Sequence, residues 1–211
     1  MFQGKEKRPY WRRGRGAYLL PITVFVVAAA IILTSCGGAS SRARSLEEKG
    51  DLKGAVAAYR EVVGHNPNDV KSLELLGADL MLLGDYNGAL PIQERVVALD
   101  PKDVQTRVEL AFNYLNHQNQ PVKAVEHLTQ AVAVEPSAKN LSFLGRAQIV
   151  IGDPSEAEQS LDKALKTDPK YAYSYVVLLS LLNSQGRSAD VSALKEQARV
   201  NGVDLSQAIG S

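Results

Sequence analysis

The chain has 211 residues, 45% hydrophobic and 22% charged, with a formal net charge of +1; these are ordinary globular values, enough for one or two compact domains or a short solenoid. The charge is uneven, because residues 1–35 hold six basic side chains and one acidic one, leaving the remainder at a net of −4. A mildly acidic body excludes a nucleic-acid-binding surface, which needs clustered cations to displace counterions.

Chain order begins with that basic segment: Lys5, Lys7, Arg8, Arg12, Arg13 and Arg15, with Glu6 the one acid. Residues 17–33, AYLLPITVFVVAAAIIL, carry no charge, and Leu33-Thr34-Ser35-Cys36-Gly37 follows. A basic flank, an apolar run and small residues at its end are the layout of a secretory signal. The cationic flank stays cytoplasmic while the apolar stretch inserts. Leu33-Thr34-Ser35-Cys36 resembles the lipobox of bacterial lipoproteins. The resemblance implies acylation of the Cys36 thiol and cleavage before it, and several acyl chains anchor what one chain cannot. The competing expectation is an uncleaved transmembrane helix over 17–33. Its 17 uncharged residues fall short of the roughly 20 that span a bilayer, and Pro21 weakens it. Cys36 is the only cysteine, so no intramolecular disulfide and no thiolate-rich zinc site can form.

Downstream the sequence repeats. Prolines fall at 67, 101, 136 and 169, and twelve residues before each stands Ala55, Ala89, Ala124 or Ala157. Five residues before each stands Val62, Val96, Ala131 or Ala164, and an Asn, Asp or Glu precedes every one of these prolines. Gly-Asp recurs at Gly50-Asp51, Gly84-Asp85 and Gly152-Asp153, with Gly186-Arg187-Ser188 as a weaker instance. Each glycine suits the left-handed end of a helix. The Asp after it, or Ser188, suits the cap of the next. The small alanine permits close helix approach, and the proline stops the second helix because the residue before it avoids the α region. Asp69 and Asp103 suit caps of the helices that follow.

This pattern resembles the tetratricopeptide repeat, a helix–turn–helix of 34 residues. The family's small residue in the first helix falls on Gly77, Ala111 and Gly145, preceded by Leu76, Leu110 and Leu144. Its large residue in the second helix falls on Tyr59, Leu128 and Leu161, whereas Gln93 breaks that slot and no repeat carries the family's preferred Trp. The resemblance implies an all-α, right-handed superhelical solenoid of four to five hairpins over 42–200, with approximate repeats 40–69, 70–103, 104–137, 138–170 and 171–200. Residues 1–35 form the signal or anchor, 36–41 the lipidated Cys36 and a short tether, and 201–211 a flexible tail. The third repeat has a longer turn, His117 to Pro121, without glycine. The fifth diverges at Val191 and Lys195, as a solubilising end repeat does. Counting back from Ala55 puts Cys36 at the first position of repeat one. The first helix then begins near Ser40 or Ser41, with Arg42 in a leucine slot, behind a tether of at most about 14 Å.

Catalytic chemistry finds no foothold. His65, His117 and His127 lack metal-ligand spacing, and no HExxH or phosphate-binding glycine loop is present. The expectation is a non-enzyme with no cofactor, no metal and no small-molecule substrate. Stacked hairpins line a concave face with their first helices. On that face the register places Lys71, Glu74, Ala78 and Met81, then Gln105, Val108, Phe112 and Asn116. Lys139, Ser142, Arg146 and Ile149 follow, and then Tyr173, Val176 and Ser180. In the resembled family such a groove receives a peptide. Phe112, Met81 and Tyr173 are the candidate apolar anchors, and Lys139 and Arg146 the candidate partners for acidic groups. The expected function is a membrane-anchored scaffold or adaptor for protein partners in the bacterial cell envelope. By resemblance of architecture it serves pilus, secretion or cell-wall assembly; an envelope chaperone or sensory subunit on an uncleaved helix is the alternative. Gly37 after Cys36 points to the outer membrane where a cell has two.

Overall fold

A computed structural model describes residues 38–206; the signal or anchor segment, Cys36 and residues 207–211 lie outside the described residues. Those described form ten helices and no strand. Helix α1 covers 38–48. It is followed by α2 (Leu52–His65), α3 (Val70–Leu82), α4 (Tyr86–Leu99), α5 (Val104–Asn116) and α6 (Pro121–Val134). Then come α7 (Ala138–Val150), α8 (Pro154–Thr167), α9 (Ala172–Ser184) and α10 (Ser188–Val200). Consecutive helices pair as five hairpins, each packed on the next, and α7 also packs on α9. None of the described helices is long and apolar enough to cross a membrane.

The punctuation behaves as its chemistry demands. Gly50, Gly84, Gly152 and Gly186 all have φ between 70° and 83°, a conformation that costs residues with a Cβ. Asp51, Asp85 and Asp153 then accept the backbone N–H of Gly54, Gly88 and Glu156, satisfying an otherwise orphaned first-turn donor. Asp69 and Asp103 do the same for Ser72 and Thr106. Before the four prolines, Asn66, Asp100, Glu135 and Asp168 have ψ of 86° to 99°, outside the α region.

Three expectations are corrected, and the third turn without glycine is explained. Ser188 is not a cap: it is the first residue of α10, behind Arg187, which makes no side-chain cap bond. Arg187 instead pairs with Glu158 at 2.7 Å and Asp190 at 2.6 Å. In the third hairpin Asn119, with φ of 51°, stands in for the missing glycine. The tether expected over 36–41 is already helical from 38, and Ala39 and Ala43 are buried, Ala43 in one cluster with Ala55 and Tyr59 of α2. At the other end, the tail expected to be loose from 201 is ordered to 206. Gly202 turns the chain with φ of 73°, and Val203 and Leu205 pack against the terminal core.

That core runs along the array between the two helix layers. Ala55, Ala89, Ala124 and Ala157 are fully buried. At Gly145 a Cβ would meet Leu161 Cγ at 2.8 Å and the Ala157 carbonyl at 3.2 Å, so α7 and α8 touch backbone to side chain. Gln93, which breaks the pattern, is buried all the same and accepts a bond from Asn113 Nδ2 at 3.2 Å.

Candidate functional site: a two-part groove on the first helices

Helical periodicity returns every third or fourth residue to one face. On α5 this aligns Gln105, Val108 with Glu109, and Phe112; on α7 it aligns Lys139, Phe143 and Arg146. Between α5 and α7 lies a cup of about 230 Å³. Met81, Val108, Phe112, Leu115 and Phe143 supply its apolar wall, and Glu109, Lys139 and Arg146 its polar rim. Phe112 is 47% exposed there, a large apolar ring that folding alone leaves in water. Beside it, between α3 and α5, runs a shallower trough of about 290 Å³ lined by Lys71, Glu74, Asp103, Gln105 and Glu109.

The predicted residues divide accordingly. Met81, Phe112, Lys139 and Arg146 meet at the cup. Lys71, Glu74 and Gln105 meet at the trough, where Lys71 pairs with Glu74 at 3.0 Å and Gln105 donates to Glu109 at 2.6 Å. Asn116 accepts from Arg146 at 3.0 Å and fixes that guanidinium at the rim. Tyr173 does not line the cup; its ring meets Phe143 edge-on at 5.6 Å. Ser142 is not a groove residue, because it is buried and bonded to Ser174 at 2.7 Å. Cys36 lies outside the described residues.

Of the lining residues that the sequence reading did not place on the groove, two matter most. Glu109 joins the trough and the cup, and its carboxyl is raised above the usual range by burial, although the Gln105 bond and the Lys139 charge pull the other way. Phe143 forms a wall of the cup, with the Lys139 ammonium 6.0 Å from its ring centre. Each lies four residues after a predicted position, so counting i+4 from Gln105 and Lys139 would have found both. The histidines are occupied structurally. His65 bonds the Glu61 carbonyl at 2.8 Å, His117 stacks on Tyr86, and His127 stacks on Tyr114, its pKa lowered first by burial. Among the described residues no three His, Cys, Asp or Glu side chains cluster as a metal site would.

With this geometry in view, tetratricopeptide repeat profiles match residues 41–104 and 115–182, together more than half of the chain. The chain belongs to the tetratricopeptide repeat family. Among solved structures, MamA from Desulfovibrio magneticus RS-1 superposes with a TM-score of 0.70 at 21% identity, covering 84% of this chain and 98% of that one. A tetratricopeptide repeat protein from Parabacteroides merdae gives 0.72 at 18% identity, covering 81% of this chain and 68% of the other. Likeness at this identity establishes a shared fold. In sequence, the Caenorhabditis elegans BBSome complex member bbs-4 is 24% identical over 143 residues; that is 66% of this chain and 31% of the relative, so the chain spans about a third of its length. Arrays of this kind are typically non-enzymatic scaffolds for protein–protein interaction.

Proposed function

We propose that this chain is a membrane-tethered scaffold of the bacterial cell envelope that captures a protein partner in the groove across α3, α5 and α7. The observation that carries the reading is the cup: an apolar, partly exposed pocket around Phe112, with cations at its rim. The anchor rests on the lipobox-like Leu33-Thr34-Ser35-Cys36, with acylated Cys36 as the mature N-terminus. Because α1 is helical from residue 38, Gly37 alone separates that lipid from the array. At roughly 3.5 Å per residue the scaffold then sits against the membrane, which restricts its partners to proteins at or in the same bilayer. An assembly role in a pilus, secretion or cell-wall complex fits this placement, and the curated relative is by name a member of a complex.

Alanine replacement of Phe112 and Arg146 together is expected to weaken capture of envelope partners while leaving the helical circular dichroism signal unchanged. Undiminished pull-downs from the folded double variant would remove the groove from the account. Metabolic labelling with a fatty acid tests the anchor separately. Label lost on Cys36→Ser supports lipidation, and absence of label on the parent chain leaves the uncleaved helix over 17–33 as the tether.

A further inference from the structure

The groove's charges divide by location. In the trough, Glu74, Asp103 and Glu109 outnumber Lys71, which is already paired with Glu74. One carboxylate oxygen of Asp103, Oδ2, is buried without a hydrogen-bond partner among the described residues. Around the cup the balance reverses. Lys139 and Arg146 face one shared carboxylate, Glu109, and among the described residues neither lies within ion-pair distance of any acid. Arg146 commits a donor to Asn116, out of the five a guanidinium offers. Two cations seven residues apart on one helix stand about 10 Å apart along its axis, one on either side of Phe143.

Size limits what enters the cup. An apolar cavity of roughly 150 Å³ already holds a benzene molecule, and pockets for cofactor-sized ligands run to about 300–1,000 Å³. At about 230 Å³ the cup accommodates one aromatic or leucine-sized side chain. Resting on the groove reading above, we infer that the partner presents a linear segment of bipolar chemistry. One large apolar side chain fills the Phe112–Phe143 cup, carboxylates on one side of it meet Lys139 and Arg146, and ammonium or guanidinium groups on the other meet Glu74, Asp103 and Glu109.

Fluorescein-labelled, capped nonapeptides test this by anisotropy with the full chain in detergent micelles. The probe carries a central phenylalanine, two lysines on one side and two aspartates on the other, and is made in both chain directions. Controls alternate the same charges, carry lysine only or aspartate only, or replace the phenylalanine with glycine. At least one bipolar probe is expected to bind ten-fold or more tighter than the alternating, all-lysine and all-aspartate controls. Lys139→Glu/Arg146→Glu is expected to abolish that preference and favour the all-lysine probe, and Glu74→Lys to weaken the bipolar probe from the opposite end. Equal binding of every charge pattern overturns the polarity; if the phenylalanine is still required, the groove reading survives alone. Binding that ignores both the phenylalanine and Phe112→Ala overturns the two together. Absence of binding by every probe overturns the proposed ligand, and the crosslinking of native partners then decides the groove.

Discussion

Between the second and third hairpins the buried seam is polar. Gln93 and Asn113 bond each other, and Asn113 also donates to the Tyr86 carbonyl at 2.9 Å; one seam earlier, Asp79 of α3 is buried within range of the Glu47 charge, its Oδ2 unpartnered among the described residues. Within the fourth hairpin, between α7 and α8, the contact is apolar and tight, with Leu161 where α4 of the second has Gln93 and no room for a Cβ on Gly145. At Gly77, by contrast, a Cβ would rest at 3.5 Å from Gln93 Cγ, an ordinary contact. Repeats that share one spacing thus divide their stability differently. The fourth hairpin is held by volume, whereas the second carries a buried acid whose cost depends on pH. The groove lies between these two regimes, on helices both of them support.

The largest expected effect breaks the apolar side. Leu161→Ala removes a fully buried side chain and is expected to cost about 2–5 kcal/mol, read as a lower urea midpoint. Next comes the acid. Burial first, and then the charge of Glu47, push the Asp79 carboxyl from its ordinary 3.8 to about 6. The folded state therefore holds the proton more tightly than the unfolded one, and stability falls as pH rises from about 4 through 6. Asp79→Asn, which installs the residue found 34 positions later at Asn113, is expected to stabilise the chain by up to about 3 kcal/mol at pH 7. That advantage should vanish near pH 4, and a pH-independent difference would refute the assignment. Gly145→Ala sets overpacking of about 1–3 kcal/mol against a helix-propensity gain of about 1 kcal/mol, so a net loss of up to about 2 kcal/mol is expected. Gly77→Ala is the smallest change, a gain of up to about 1 kcal/mol. Thermal melts of the two glycine variants moving in the same direction would erase the contrast between the second and fourth hairpins.

Much of this was legible beforehand. Gly-Asp and the prolines announced the helix ends because a left-handed cap and a residue before proline each have one local solution. The alanine spacing announced close packing for the same reason. What escaped depended on tertiary context. Ser188 has the chemistry of a cap, but the chain enters α10 one residue earlier. Ser142 occupies a groove-facing register in the sequence, yet α9 covers it through Ser174. Tyr173 does not line the cup and reaches it only through its edge-on contact with Phe143, which does. The charge division of the groove needed three helices laid side by side, and no single stretch of sequence contains it.

The central claim is that the cup around Phe112 is where a partner protein is held. Its most direct test is site-specific photocrosslinking in the native membrane, with benzoylphenylalanine at Phe112 or at Val122, which is 59% exposed on α6 away from the cup. Discrete crosslinked species are expected from position 112 and not from 122, and they should disappear when Arg146 is also replaced by Glu. Indistinguishable patterns from the two positions, or none from 112 while partners are still captured, would contradict it.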